Sequence, residues 1–392
     1  MGYLALFGIN KREMKEKYYV VAKTISRWKI DSRIENFLGY MADRTEFWKR
    51  MYILYYKIFD RQYYQGGIKR INEEIKRQRV GYKVFVNGGG NKCHLQRDLM
   101  YSLHRYGVSF EEYFIFKFYE KNHIGRRQYN NLKLQYGYCE LLNKDSIRDL
   151  FEDKGACYRK LKKYYKRELI VVRGDEDLQE LTMFIRSHKS FIVKPLTGHS
   201  GTGIKIVKDF YGDILTFFNM MKEQGAFVLE ELINQHPAMS VLHPESINTV
   251  RLATFKMQNE VYIVGAALRM GTGHSNVDNA GAGGIYAGID LEHGFVCSMA
   301  RDNQSNQYSV HPDTKCKLVG FDLPEWRKAI ELVKELASVV EGATVISWDL
   351  AYSDKGWLVV EGNDVGEPYL LQAPLQIGLK DRMISLIDKY FQ

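Results

Sequence analysis

The spacing of apolar residues changes near residue 168, and this change most constrains the fold. Before it, apolar side chains recur at helical spacing between Lys, Arg and Glu, near 11–35, 43–59 and 68–79. After it, short β-rich runs interleave with helical patterns without a regular βαβ period. The sequence therefore predicts an α+β fold with antiparallel hairpins behind a mostly helical region, not a doubly wound parallel sheet.

The predicted elements follow from these patterns. Further helices are expected at 95–106, 109–120 and 145–166, and one short strand at Lys83–Val86 ahead of a glycine run. The later helical patterns cover 175–187, 211–223, 323–340 and 377–391. The later strands are Leu169–Val172, Phe191–Val193, Ile204–Val207, Phe227–Glu231, Val250–Phe255, Val261–Arg269, Val345–Ala351 and Trp357–Glu361.

The net charge of +9 is unevenly placed. Residues 1–150 hold 29 Lys and Arg against 16 Asp and Glu, whereas the remainder holds 27 against 31. A basic front half attracts anionic lipid, nucleic acid or a phosphorylated substrate, although a solvated helical surface has the same composition. Because nothing resembles an RNA- or DNA-binding module, we expect no nucleic-acid partner, while peripheral association with an anionic membrane stays open.

Cysteine usage indicates the compartment. The five cysteines show no CxxC spacing, and their odd number does not suit a disulfide framework. The apolar start Met1–Phe7 lacks a basic region and is too short to span a bilayer. We therefore expect a reduced, cytoplasmic protein.

A strand that ends in a lysine, Phe191–Pro195, runs into a glycine-rich loop. An ammonium at the end of a buried strand is unfavourable unless an anion meets it. The loop glycines allow positive φ and close backbone approach, so N–H groups can point at phosphate oxygens. The alternative is a flexible hairpin turn. The predicted phosphate-binding residues are Lys194, Gly198, Ser200, Gly201, Thr202 and Gly203.

The strand Phe227–Ile233 carries two acidic residues among apolar ones. An edge strand in a cleft offers backbone N–H and C=O groups to an adenine ring, and a carboxylate can accept from its amino group. Glu230, Glu231 and Leu232 are therefore candidate nucleotide contacts. An ordinary edge strand with charged side chains is the alternative.

Two carboxylates near the C-terminus form the strongest metal-site pattern. Val345–Ala351 and Trp357–Glu361 predict a β-hairpin with a three-residue loop, Asp354–Gly356. That loop pairs Ser353 with Trp357, and so brings Asp349 opposite Glu361. Asn363, two residues on, shares their face. Two carboxylates and an amide oxygen suit Mg²⁺, and a pair of surface acids is the alternative.

The strands predicted at 250–255 and 261–269 form a hairpin, and each of them carries an arginine. Arg251 heads the first strand and Arg269 ends the second, so the hairpin makes them neighbours. Their planar forks suit phosphate oxygens, and they are candidate catalytic residues that stabilise charge during phosphoryl transfer. A structural salt bridge to Glu230 or Glu361 is the alternative. The glycine-rich segment after Arg269, residues 271–284, is typical of a loop that closes over a substrate, and a disordered segment without a function is the alternative.

In order and spacing together, these motifs over about residues 140–392 resemble the sugar-transfer-associated group of the ATP-grasp superfamily. The resemblance implies an ATP-grasp fold over 140–392, with subdomains at about 140–225 and 226–392 that clasp ATP, behind a helical region at 1–139. It implies ATP and Mg²⁺ as cofactors, with Lys154 and Lys194 on the nucleotide. Asp349, Glu361 and Asn363 would hold the metal. The implied substrate-binding residues are Asn248, Thr249, Asp278, Asn279, Gly283 and Gly284.

Two details of the resemblance stay open. Lys144 rivals Lys154 as the upstream nucleotide lysine. The familiar acidic ribose contact is not evident, and Gln235 and His236 stand where it is expected.

The resemblance implies a ligase that joins a carboxylate to an amine through an acyl phosphate. The substrates would be small molecules related to sugars or amino acids, in cell-surface polysaccharide assembly. The alternatives are a kinase with a hydroxyl acceptor, and a nucleotide-binding interaction protein that docks on a glycan-assembly complex or a membrane. The sequence leaves the two substrates and the oligomeric state open.

Overall fold

The computed structural model describes residues 32–59, 61–198 and 203–392. Three predicted phosphate-loop residues, Ser200, Gly201 and Thr202, lie outside the described residues, as do residues 11–31 of the predicted first helix.

The chain forms two compact units. The first runs to Leu141 and also holds Arg301–Gln307 and Glu367–Gln392. The second holds Leu142–Ala300 and Tyr308–Gly366. The boundary expected between residues 139 and 140, and the split near 225, stay predictions.

The first unit is built mainly of helices in its described part. Asn91 and Asn122 cap two of them, and Ser109 and Glu112 form a reciprocal capping box. The helices are α1 (Ser32–Ala42), α2 (Glu46–Phe59), α3 (Arg61–Arg77), α4 (Arg79–Asn87), α5 (Lys92–Tyr106), α6 (Phe110–Ile115), α7 (His123–Arg127) and α8 (Leu132–Leu142).

The predicted strand Lys83–Val86 is wrong, because these residues lie in helix α4. The less exposed residues around it are Gln78, Gly81, Tyr82 and Phe85, which follow helical spacing. Gly81 also allows close packing, since a Cβ there would lie 2.9 Å from the Phe114 ring. A four-residue β-rich run cannot distinguish a strand from one turn of such a helix.

A buried ion pair organises the first unit. Both Asp98 oxygens accept from Arg126, at 2.8 and 2.6 Å, and Tyr113 Oη donates to Asp98 at 2.6 Å. Lys49 of α2 adds a contact of 3.2 Å. Burial raises the pKa of Asp98, but the charges of Arg126 and Lys49 outweigh it and lower the pKa to about 2.

The second unit begins with two helices and a four-stranded antiparallel sheet, in which the first strand of the chain pairs with the fourth, the fourth with the second and the second with the third. Two further helices, Leu178–Ser187 and Ile214–Lys222, contribute to an apolar cluster that includes Ile170, Phe191 and Leu229. Because strand side chains alternate, Lys194 and Glu230 lie on the opposite face. The elements are α9 (Ser146–Glu152), α10 (Lys154–Tyr165), β1 (Leu169–Val172), α11 (Leu178–Ser187), β2 (Phe191–Pro195), β3 (Lys205–Val207), α12 (Ile214–Lys222) and β4 (Phe227–Glu231).

A larger sheet follows, with seven strands in the order β11-β10-β5-β6-β7-β8-β9. Trp348, Leu252 and Leu268 belong to a large buried cluster that also contains residues of α14. Its elements are α13 (Pro237–Ser240), β5 (Thr249–Met257), β6 (Glu260–Met270), β7 (Ile285–Gly288), β8 (Ala300–Arg301), β9 (Gln307–Tyr308), α14 (Trp326–Val339), β10 (Val345–Ser353) and β11 (Gly356–Asn363). The chain ends with two helices of the first unit, α15 (Tyr369–Gln372) and α16 (Lys380–Tyr390).

The predicted α+β class with antiparallel hairpins is confirmed. The predicted strands after residue 168 match β1–β6, β10 and β11, with ends that differ by a few residues. No helix among the described residues combines the length and apolarity needed to cross a bilayer.

Asp98→Asn is expected to loosen the first unit selectively. The substitution leaves Arg126 as a buried cation without a carboxylate, which costs about 3–5 kcal/mol. Hydrogen exchange at neutral pH should show faster exchange in peptides of α5 to α7, while peptides of β5 and β10 stay unchanged. Exchange rates equal to wild type in α5 to α7 would contradict this role.

The ion pair of Asp98 with Arg126 also predicts that the first unit loses stability in acid. Asp98 has a lowered folded pKa, so its stabilisation is present above the unfolded value of 3.8 and is lost as pH falls towards about 2. In wild type, exchange of α5 to α7 should therefore accelerate between these two pH values beyond the change in intrinsic exchange. In Asp98→Asn the extra acceleration should be absent.

Candidate active site

A row of charged residues crosses three adjacent strands of the larger sheet. Asp349 of β10 pairs with Glu361 of β11 on one side and with Arg251 of β5 on the other. Residues in register on antiparallel strands point to the same face. The register therefore brings the predicted metal ligands and a predicted catalytic arginine together.

The hairpin of β10 and β11 has the predicted pairing of Asp349 with Glu361, but its turn and register differ from the prediction. Ser353 pairs with Gly356, so the turn has two residues, Asp354 and Lys355, and not the three that were predicted. The register then shifts between Asp349 and Leu350, which leaves Val360 as an extra residue. This bulge restores the pairing of Asp349 with Glu361.

Asp349 is the common partner of both predicted catalytic arginines. Arg251 donates from Nε to one oxygen and from Nη2 to the other, at 2.9 Å for the second, and Arg269 Nη1 donates at 2.8 Å. Burial raises the pKa of Asp349, but the two guanidinium charges lower it to about 2. The structural-salt-bridge alternative thus named the wrong carboxylates, Glu230 and Glu361, for these arginines.

Glu361 is solvent-accessible, although protein atoms crowd around it as in a cleft. Desolvation and the nearby charge of Asp349 raise its pKa, and the charge of Lys194 opposes them. No described residue forms an ion pair or hydrogen bond with its carboxylate. Its oxygens are therefore available to a ligand.

Asn363 completes this edge of the site. It shares the face of Glu361 on β11, and its buried Nδ2 atom has no hydrogen-bond partner among the described residues. Gly362 lies between them on the other face, where an added Cβ would meet the Phe151 ring at 2.2 Å. The glycine therefore lets the core pack closely behind the two polar side chains.

This donor set fits a hard divalent cation. No group of three or more His, Cys, Asp and Glu that could hold a metal occurs in the described part of the chain. The fit therefore requires the two carboxylates Asp349 and Glu361, the Asn363 amide, and oxygens from phosphate or water. That is the ligand mixture that Mg²⁺ accepts.

The second group of predicted residues lies on the smaller sheet and at the start of helix α10. Lys194 Nζ contacts Glu230 at 2.9 Å, and Lys154 Nζ donates to the Gly198 carbonyl at 3.0 Å. Burial lowers the pKa of Lys154, and the charges of Glu361, Lys194 and Glu230 act on it. The charge of Glu361 thus raises the pKa of Lys154, and the charge of Lys194 lowers the pKa of Glu361.

The rival lysine lies elsewhere. An added Cβ at Gly342 would meet Lys144 Cδ at 2.6 Å, and the Lys144 amide donates to the Gly342 carbonyl at 2.9 Å. Lys144 therefore packs on the loop before β10.

The described ends of the glycine loop suit a tight turn. Gly198 has φ +118° and Gly203 has φ +78°, both in the region that favours glycine. A Cβ at Gly203 would also lie 2.9 Å from the Pro195 ring.

The two acids of β4 have different surroundings. Glu230 is buried between Arg167 and Lys194, whereas Glu231 accepts from the Glu168 amide at 3.0 Å and from Lys355 at 3.2 Å. The backbone amide of Leu232 has no hydrogen-bond acceptor among the described residues. Backbone contacts at Leu232 therefore remain available to an adenine ring.

Sequence reasoning missed Arg167. Its guanidinium donates to Glu230 at 3.0 and 3.2 Å, and also to the carbonyls of Val359 at 2.7 Å and Val360 at 3.2 Å. It thereby ties β4 of the smaller sheet to the bulge beside Glu361. The available signal was an arginine two residues before an apolar strand, with an acidic residue in the strand that pairs with it.

The predicted substrate residues divide into two groups. Thr249 and Asp278 continue the arginine network, since both the amide and hydroxyl of Thr249 donate to Asp278, which also contacts Arg269 at 3.3 Å. Asn248 is fully buried instead, and its amide nitrogen donates to Gln235 and to the carbonyls of Met239 and His243.

The remaining predicted residues shape the loop. Asn279 accepts from the Gly281 amide at 2.9 Å, and Gly283 has φ +95° with open space beside it. A Cβ at Gly284 would lie 2.5 Å from the Asp278 carbonyl oxygen. These three residues therefore fix the turn that carries Asp278.

The residues considered for the ribose contact are engaged within the protein. The Gln235 side chain bonds to the backbone and side chain of Asn248. His236 accepts from the Ala238 amide at 3.1 Å and packs on the Tyr352 ring at 5.1 Å.

Comparison of the chain with proteins of known structure finds distant likenesses. One is N5-carboxyaminoimidazole synthetase from Staphylococcus aureus in complex with ADP, with 13% identity, a TM-score of 0.38, and coverage of 60% of this chain and 51% of that one. Another is D-alanine–D-alanine ligase from Helicobacter pylori, with 12% identity, a TM-score of 0.38 and coverage of 63% of each chain. The chain thus spans less than two thirds of the length of either, and likenesses this distant carry no argument of their own.

The third is the VanG D-Ala:D-Ser ligase from Enterococcus faecalis, with 12% identity, a TM-score of 0.43, and coverage of 66% of this chain and 68% of that one. No curated protein matches the sequence.

The family comparison is more specific. Residues 213–388 match the model described as sugar-transfer associated ATP-grasp. The matched range contains the row Glu361–Asp349–Arg251 together with Glu230, Arg269 and Asn363. Over residues 213–388, the chain is therefore similar to the sugar-transfer associated ATP-grasp family.

Proposed function

We propose that this protein is an ATP- and Mg²⁺-dependent ligase that joins a carboxylate to an amine. The observation that carries the proposal is the row Glu361–Asp349–Arg251. Arg167 bonds both to the strand of Glu361 and to Glu230, and Glu230 contacts Lys194. Carboxylates for a divalent cation and ammonium groups for phosphate are thus gathered in one place. ATP-dependent ligation is the activity of the ATP-grasp superfamily that uses such a set.

The charge of each side chain determines the role that we propose for it. Asp349, Glu361 and Asn363 would hold Mg²⁺, which when bound shields phosphate charge and orients the triphosphate. Lys154 and Lys194 would bind phosphate oxygens, and the backbone near Leu232 would meet the adenine. Arg251 and Arg269 present N–H groups that can stabilise negative charge on the transferred phosphoryl group.

The proposed reaction has two steps. A carboxylate oxygen of the first substrate attacks the γ-phosphorus, and ADP leaves with the electrons of the broken P–O bond. The amine nitrogen of the second substrate then attacks the acyl carbon, phosphate leaves, and the amine gives up a proton. The overall products are an amide, ADP and phosphate.

The family description supports a substrate class. We propose small carboxylate and amine substrates related to sugars or amino acids, used in the cytoplasm for cell-surface polysaccharide assembly. This choice rests on the sugar-transfer association of the family and on nothing in the site geometry.

The decisive experiment is to measure ADP and phosphate release with candidate uronic acids and amino acids, after a thermal-shift screen with Mg-ATP. Release that requires both an acid and an amine, with an amide found by mass spectrometry, would support ligation. Transfer of phosphate to a hydroxyl acceptor without an amine would show a kinase. Binding of Mg-ATP without turnover of any pair would favour the interaction-protein alternative.

Glu361→Gln is expected to lower kcat by at least ~100-fold, because a neutral amide holds a divalent cation poorly and no longer balances the lysines. The Mg²⁺ concentration needed for half-maximal rate should also rise. Glu260→Gln, at the far end of β6, is the matched control and should behave as wild type. Unchanged turnover in Glu361→Gln would remove Glu361 from the metal site.

The two upstream lysines can be distinguished directly. Lys154→Met should raise the KM for ATP by ~10-fold or more, because a charge-assisted contact to phosphate is lost. Lys144→Met should leave that KM near wild type, because Lys144 packs on the loop of Gly342. The reverse pattern would assign the nucleotide contact to Lys144.

A further inference from the structure

Helix α2 of the first unit presents an apolar stripe to solvent. The stripe consists of Phe47, Met51, Leu54 and Ile58. They are spaced at four, three and four residues, so they lie on one side of the helix. Phe47 and Ile58, at the two ends, are 62% and 63% exposed. Phe37 and Tyr40 of the neighbouring helix α1 are also exposed. We call this surface the α1–α2 face, and its apolar members are Phe37, Tyr40, Phe47, Met51, Leu54 and Ile58.

The opposite side of α2 is committed to the interior. Tyr52, Ile53 and Tyr56 are buried, the Tyr52 ring meets Tyr101 edge-on at 5.5 Å, and Lys49 reaches the buried Asp98. A rotation of α2 that turned the stripe inwards would break these contacts and separate Lys49 from Asp98. The orientation of α2 is therefore set by the core, and the stripe stays outside.

The charges around the stripe are positive. Arg50 and Lys57 lie along one flank of α2, both exposed and without an ion-pair partner among the described residues. The acids near the turn between α1 and α2 are already engaged. Asp43 accepts from Arg105 and Tyr106, and Glu46 pairs with Lys49 at 2.7 Å. The free charge of this face therefore suits an anionic partner.

The other flank of α2 is aromatic. Trp48 lies there, in edge contact with Phe37 at 6.2 Å and with Phe47 at 5.6 Å. The Arg44 guanidinium lies over the Tyr40 ring at 4.1 Å. Apolar side chains bordered by Trp, Tyr, Lys and Arg are the composition of helices that lie in the plane of a membrane interface.

We propose that the α1–α2 face binds the surface of an anionic membrane, with α2 lying parallel to it. The apolar stripe enters the headgroup region, while Arg50 and Lys57 meet lipid phosphates. A lipid surface fits better than a protein groove because the charged flank and the aromatic flank border one exposed stripe. This surface lies in the first unit and does not depend on the function proposed for the second.

The test is flotation of the full chain with vesicles of phosphatidylcholine alone or with 30% phosphatidylglycerol. Wild type should float with the anionic vesicles and much less with neutral ones, and binding should fall as salt rises. Leu54→Glu with Ile58→Glu should reduce the bound fraction at least tenfold. Leu215→Glu, an exposed apolar site on α12, is the matched control and should bind as wild type.

A second measurement locates the contact. Brominated anionic lipids should quench part of the tryptophan fluorescence, and Trp48→Phe should remove that quenching. Circular dichroism and ATP binding of the stripe variants should match wild type, because the changed residues are exposed.

Three outcomes would overturn the proposal. The first is failure of wild type to float with anionic vesicles at low salt. The second is equal binding by the stripe variants. The third is a dimer, seen by light scattering, that the stripe substitutions dissolve while vesicle binding is absent, which would assign the face to a second copy of the chain.

Discussion

The second unit depends on the ion pair between the buried guanidinium of Arg167 and the carboxylate of Glu230. Both Arg167 and Glu230 are almost wholly removed from solvent, and an unpaired charge in such a place is strongly destabilising. Arg167 satisfies its donors with Glu230 in β4 and with two carbonyls of β11, so the two strands are held at a fixed separation. Glu230 in turn holds Lys194, and β11 carries Glu361. One buried cation thus sets the relation of the groups that we propose to bind phosphate and metal.

The sequence predicted the central pairing correctly from an incorrect turn. A hairpin needs a connection of suitable length, and Gly356, which directly follows the turn, has a φ of +78°. What local patterns could not reveal is the extra residue Val360, because its carbonyl is satisfied by Arg167 from another part of the chain. The shorter turn and the bulge each shift the register by one residue, and together they cancel. The face shared by Asp349 and Glu361 was predictable since both interrupt apolar strands.

Other features could not be predicted because long-range partners decide them. The proximity of Arg251 and Arg269 follows from a hairpin, but their shared partner Asp349 depends on β10 pairing with β5 across a long insertion. The burial of Asn248 likewise depends on the segment 235–243, which wraps around its amide. In the first unit, the strand-like run Lys83–Val86 becomes helical because neighbouring residues at helical spacing face the core. Composition and the spacing of apolar residues thus predicted the fold class, whereas tertiary packing determines which side chains are in contact.

Charge balance explains why the arrangement suits a nucleotide together with a divalent cation. Five basic side chains surround four carboxylates in this part of the second unit: Lys154, Lys194, Arg167, Arg251 and Arg269 against Asp278, Asp349, Glu230 and Glu361. Most of the positive charge is therefore compensated within the protein, and little is left for a triphosphate. A cation shared by Asp349 and Glu361 would supply the missing charge. Arg251 and Arg269 would then meet phosphoryl oxygens with charge that Asp349 no longer fully compensates.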